Sequence, residues 1–238
     1  MFTSIINSFL RSGPATLEQK MLNLELLVYN FHESLNLKPL FLHLEREMKV
    51  SPTNRAYLIR LYQVADEVTR KQMLVIAEGG ERFDATIDTK TLGFPSASGE
   101  GESPATAHDI VVEGIRRNVK LEVLAADPVT EQLQVRTTLR SFDGGRVDTS
   151  STEFWVGHFD FPMIDNTRLP RDQRLAVVLN NFDAKRGVAD VTVVCYPGKY
   201  AALREKPYYD EVLANLLAAN RSAASSASDV RTPAQLPK

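Results

Sequence analysis

Between Thr16 and Leu35 the chain reads TLEQKMLNLELLVYNFHESL, and its apolar residues Leu17, Met21, Leu24, Val28, Phe31 and Leu35 alternate spacings of four and three. That spacing is the seam of an amphipathic helix, which has to bury one side. A second apolar set, Leu22, Leu26 and Tyr29, widens the seam. More than one surface is therefore expected to cover it: a sheet on one flank, or a second copy of the chain, which would make a homodimer through the N-terminal helices. Thr16 followed by Gln19 three residues later reads as a capping box that fixes where this helix starts.

The neighbouring segments extend the helical pattern. Phe2, Ile5, Ile6, Phe9 and Leu10 form a short amphipathic stretch whose polar face has a single basic residue, Arg11. That is poor chemistry for a membrane surface, so the stretch is expected to fold back on the helices after Gly13-Pro14. Pro39 limits the first helix, and Leu40, Leu44 and Met48 continue a second. Ser51-Pro52 opens a third, as N-cap and first helical residue. It carries Leu61, Ala65, Val68, Gln72 and Ile76 at helical spacing and stops at Gly79-Gly80. Residues 1–78 thus read as a helical N-terminal region.

Beyond Gly80 the period falls to two. Residues 82–89 alternate as a strand, with Phe83, Ala85 and Ile87 on one side. Residues 93–107 are rich in Gly, Ser and Pro and read as a flexible loop, so 79–108 is a strand plus a linker. Residues 109–115, 119–126, 132–142 and 147–161 follow as strands joined by turns too short for crossovers, which predicts an antiparallel meander. Pro170 is expected to open a helix with Leu175, Val178, Leu179 and Phe182 as its stripe. Residues 190–197 are apolar on both faces and read as a covered strand. A last helix is expected after Pro207, with Val212, Leu213, Leu216 and Leu217 inward, which completes a 109–220 region of sheet and two helices. Residues 221–238 are small and polar and read as a disordered tail. The predicted fold is α+β: a helical layer packed on an antiparallel sheet, with C-terminal helices covering it.

Composition narrows function more than fold. Twenty-eight basic residues against thirty acidic ones give a net charge of -2, without the basic excess of a chain that tracks nucleic-acid backbone. The single cysteine, Cys195, excludes an intramolecular disulfide and a cysteine-rich zinc site, and fits a reducing compartment such as the cytoplasm. No run approaches the ~20 apolar residues of a bilayer span, and the first residues lack the charge and apolar core of a secretory signal.

No stretch reads as a catalytic, metal or cofactor site. Three residues are candidates. Cys195 ends an apolar strand, where a thiol activated by a histidine is a conceivable nucleophile, although a small core residue is its commoner role. His158 and Asp160 alternate along GHFDF and would point the same way from an extended strand, with Asp165 and Asn166 close behind. Asp84 and Asp88-Thr89-Lys90 lie too close in sequence for a metal-dependent nuclease site. Arg116-Arg117 lacks the spacing and the Asp-x-Ser-x-x-Gly element of a cyclic-nucleotide-binding barrel.

Binding features are better represented. Arg168, Arg171 and Arg174 recur every third residue at the expected helix start, a candidate for holding a phosphate or an acidic partner, although a solvated face beside Asp165 and Asp172 is their commoner role. Phe154, Trp155, Phe159 and Phe161 make the densest aromatic cluster, with Trp155, Phe159 and Phe161 on one side of the strand and Phe154 on the other. One side can fill the core, and the other, if exposed, is a binding patch. These features favour a non-enzymatic interaction protein of the cytoplasm, acting as adaptor, inhibitor or assembly component on another protein. The alternative is a hydrolase or nuclease of unfamiliar type built around His158 and Asp160.

Overall fold

A computed structural model describes residues 16–33, 35–95, 101–143 and 146–201. The chain divides into a unit of residues 1–204 and a second of residues 205–238, which lies outside the described residues, as do the 2–11 segment, the expected helix after Pro207 and the tail.

Helix α1 (Leu17–Phe31) starts where its cap requires. Thr16 Oγ1 accepts from the Gln19 amide at 3.3 Å, and Gln19 Oε1 accepts from the Thr16 amide at 3.1 Å. Helix α2 (Lys38–Lys49) has Pro39 in its first turn, where a missing amide costs nothing. A single 3-10 turn, Pro52–Asn54, leads into α3 (Arg55–Ile76). The Gly80 amide closes the end of α3 by donating to the Ile76 carbonyl at 2.9 Å. A Cβ on Gly80 would stand 2.9 Å from both the Ile76 and Cys195 carbonyl oxygens, so only glycine lets the chain turn into the sheet here. The three helices share a core of Met21, Leu24, Leu27, Phe41, Leu44 and Leu61.

The ten strands among the described residues are β1 (Glu81–Asp88), β2 (Phe94–Pro95), β3 (Glu102–Ser103), β4 (Ala105–Val112), β5 (Ile115–Asp127), β6 (Gln132–Asp143), β7 (Arg146–Val156), β8 (Thr167–Leu169), β9 (Gln173–Asp183) and β10 (Val188–Pro197). They form two four-stranded antiparallel sheets and a small β2–β3 hairpin within the expected 93–107 linker. One sheet is the meander β4-β5-β6-β7, and the other runs β1-β10-β9-β8. Their facing sides share one core, in which Val119, Leu121, Leu133 and Val135 of the meander meet Phe83, Leu175, Val177, Val191 and Val193. The outer side of the second sheet, Ala176, Val178, Val194 and Tyr196, packs against Met73 and Ile76 of α3. The fold is α+β, with a helical layer lying on one sheet of a sandwich.

The expected helix after Pro170 is strand β9, paired along its length with β10. The reason is double burial: Leu175, Ala176, Val177, Val178 and Leu179 are all buried, alternately towards the sandwich and towards α3. A strand covered on both faces has no polar phase, so a helical stripe can be drawn through it by chance. The expected cover over α1 also differs. Leu22, Leu26 and Tyr29 remain 51%, 47% and 50% exposed, so neither sheet covers that flank, and Glu67 and Lys71 of α3 reach only Tyr29.

Candidate functional site

The strand expected over 147–161 ends at Val156, and the residues after it form a compact turn. Asp160 builds that turn: its Oδ2 accepts from the Gly157 amide at 2.8 Å, and its own amide donates to the Gly157 carbonyl at 3.1 Å. Its other oxygen takes the Lys38 ammonium at 2.5 Å. The expected His158–Asp160 alternation on an extended strand is therefore absent, as is the shared side of Trp155, Phe159 and Phe161. Phe159 and Phe161 leave the sheet and enter the helical core, with ring centroids 5.1 and 5.4 Å from Phe41.

His158 and Asp160 do line one cavity of about 310 Å³ together with Lys38, Glu45, Lys49 and Tyr62. Its two carboxylates, Glu45 and Asp160, are each paired with a lysine. Glu45 accepts from the Tyr62 hydroxyl at 2.6 Å and takes Lys49 at 2.8 Å. The Glu45–Lys49 spacing of four was legible in the sequence, but its position beside His158 depends on the 157–160 turn. His158 stands edge-on to Tyr62, with centroids 5.2 Å apart. Burial holds its imidazole below the ordinary 6.5, against the opposing pull of Glu131, Asp66 and Glu45. The unfolded chain therefore takes up this proton first. Stability is unaffected above 6.5, falls as pH drops from there to the folded-state value, and then levels off. His158→Gln is expected to flatten that part of the curve, as read by urea midpoints between about pH 7 and 5.

Cys195 is not brought to this cavity. It lies in the sandwich core opposite Leu175 and Glu81, and burial pushes its thiol up to about 11. A thiol that is neutral and enclosed is a poor nucleophile. Native protein is expected to resist an aromatic disulfide reagent that labels one thiol per chain immediately in denaturant; equal rates would contradict this burial. Asp84 accepts from the Thr192 hydroxyl at 2.5 Å and Asp88 from the Lys90 amide at 2.8 Å, both structural roles. No group of three or more His, Cys, Asp or Glu suited to a metal occurs among the described residues.

The three arginines do not share a helix turn. Arg168 on β8 pairs across the hairpin with Arg174 on β9, and Arg171 occupies the turn with φ 62° beside Asp172 at 51°. Arg174 is buried, 3.8 Å from the Asp172 carboxylate, while Arg168 and Arg171 are exposed. This arrangement supplies no converging cationic site.

The aromatic strand divides as alternation requires. Phe154 faces inward, opposite Val135, and packs on the sandwich core. Trp155 faces outward at 46% exposure, as does Val147 at 60%, near the other end of the same strand. Phe142 lies directly opposite Val147 on β6 and is also exposed. The strand that carries them is the eleven-residue margin of its sheet, paired on one side only among the described residues.

Two of the other three margins are blunted, and the third, β1, is eight residues long. At β4, Glu81 accepts from the Val111 amide at 2.7 Å, and β8 is only three residues long. β7 has no proline, no lysine and no register shift against β6, so of the usual devices that stop an edge from pairing it carries only charges, Asp148 and Glu153 among them. Sequence reading found Trp155 but not the edge, because which strand is outermost follows from sheet order.

No protein-family model matches the chain, and no curated protein matches it. Among solved structures, Cytochrome c Heme Lyase CcmF aligns with 81% of this chain and 29% of its own length, at 14% identity and a TM-score of 0.22. The chain thus spans under a third of that protein, and so low a score defines no shared fold.

Proposed function

We propose that this chain is a non-enzymatic interaction protein, an adaptor, inhibitor or assembly component, that engages a protein partner by adding a strand to β7. The supporting observation is the eleven-residue edge, which has no strand on its outer side among the described residues, with Trp155 facing outward from it. Main-chain groups along such an edge give affinity, and outward side chains at alternate positions give specificity. Trp155 is the anchor, since a half-exposed indole offers large contact area at little entropic cost. No described helix is long and apolar enough to cross a membrane. A reducing compartment such as the cytoplasm suits the lone thiol.

The competing reading, a hydrolase or nuclease using His158 and Asp160, draws on the cavity those residues share. Affinity capture with the full chain and two variants separates the readings. Trp155→Asp is expected to lose a stoichiometric companion that wild type and His158→Ala both retain. A companion retained by Trp155→Asp, or an activity lost only in His158→Ala, overturns the proposal.

A further inference from the structure

We infer that the strand accepted by β7 is β7 of a second copy, which makes a twofold dimer with one continuous eight-stranded sheet; this rests on the interaction reading above. The argument is self-complementarity. A twofold interface uses the same patch twice, so a strand can pair with its own copy only if its sequence tolerates reversal about its centre. The centre of Arg146–Val156 is Ser151. Antiparallel pairing about Ser151 sets Val147 opposite Trp155 of the second copy, Thr149 opposite Glu153, Ser150 opposite Thr152, and Ser151 opposite itself.

The two exposed apolar side chains of the outer face thus cover each other at both ends of the interface. Phe142, directly opposite Val147 within its own subunit, adds to each cluster. An aromatic residue opposite a β-branched one is a favourable cross-strand pair. Slipping the register two residues one way sets Val147 against Glu153, and the other way sets it beyond the end of the strand. The charges agree. Asp148 and Glu153, the acidic residues of the strand, never face each other in this register. Glu153 is held by Arg136 at 2.7 Å and would face Thr149 of the second copy, whose neighbour on β6 is Arg140. Eleven paired residues exchange about ten main-chain hydrogen bonds, the number a stable interface carries.

The exposed flank of α1, Leu22, Leu26 and Tyr29, is the rival dimer surface. It is a single stripe of three side chains on a helix, without the free main-chain donors and acceptors that a strand edge adds.

Light scattering coupled to size exclusion, run on the full chain over a concentration series, reads the oligomer. The expected result is a dimer whose dissociation constant rises roughly tenfold or more in Trp155→Asp and in Val147→Asp. Ser151→Cys supplies a second readout that does not depend on those variants folding. On mild oxidation it is expected to give a covalent dimer, while Thr149→Cys at the same concentration crosslinks much more slowly, because Thr149 faces Glu153 rather than itself. Cys195 is buried and stays out of this chemistry. A monomer at every concentration with no Ser151→Cys crosslink overturns the self-pairing. So does a dimer that Leu26→Asp abolishes and Trp155→Asp leaves intact. If that monomer still retains a foreign protein through Trp155, the self-pairing alone fails and the interaction reading survives.

Discussion

Arg117→Met is expected to lower the unfolding free energy by about 3–5 kcal/mol, read as a fall in urea midpoint at unchanged slope. Arg117 sits on β5 with 2% exposure and joins the two sheets of the sandwich. Its Nε donates to Gln173 Oε1 on β9 at 2.9 Å, one terminal nitrogen donates to the Pro170 carbonyl at 2.9 Å, and the other donates to the Ser141 hydroxyl. Gln173, itself fully buried, passes the connection on by donating to the Val112 carbonyl at 2.8 Å. Methionine fills much of the volume but leaves the buried Gln173 oxygen unmet, at about 1–3 kcal/mol, and frees the less enclosed Ser141 and Pro170 acceptors as well. Lysine keeps a charge without the planar fork, so Arg117→Lys is expected to fall between wild type and Arg117→Met. The double variant Arg117→Met with Gln173→Leu should recover part of the loss, because removing both partners spares the desolvation penalty of an orphan. A midpoint unmoved by Arg117→Met would mean the network contributes nothing net.

Why Arg117 escaped sequence reading shows where such reading stops. Local patterns were legible when one element sufficed to define them. The capping box of Thr16 and Gln19, the three helices and the meander from β4 to β7 each carry their own period or turn chemistry. Arg117 looked like the second residue of a basic pair, since its partners come from 24 to 56 residues away and no spacing encodes them. β9 was misread because burial on both faces erases its phase. Residues 157–161 look like the end of a strand because GHFDF alternates, yet Asp160 bonds locally to Gly157 and Lys38 reaches it from α2. The candidate binding surface was half legible. Trp155 stood out by composition, but the open edge beneath it is a property of sheet order alone.

Phe161→Ala is expected to cost about 3–5 kcal/mol as well, by cavity formation where the helical layer meets the sandwich. Phe161 is fully buried against Phe41, and its backbone is fixed by the Asp165 carboxylate, which accepts its amide at 2.9 Å. Two residues on, Gln72 of α3 locks the same turn. Its Oε1 accepts the Met163 amide at 3.0 Å while its amide nitrogen donates to the His32 carbonyl at 2.6 Å, which ties the end of α1 to the turn. The turn thus inserts an aromatic wedge into the helices while staying covalently continuous with β7. Leucine keeps most of the apolar volume, so Phe161→Leu is expected to cost roughly half as much as Phe161→Ala. The same variant tests how the layers cooperate. Helical signal at 222 nm and Trp155 fluorescence, which report the helices and β7 respectively, should fall together in urea, at a midpoint lowered equally for both. A helical transition that runs ahead of the fluorescence would show that the bundle opens while the sandwich persists, and that the wedge joins two units instead of completing one.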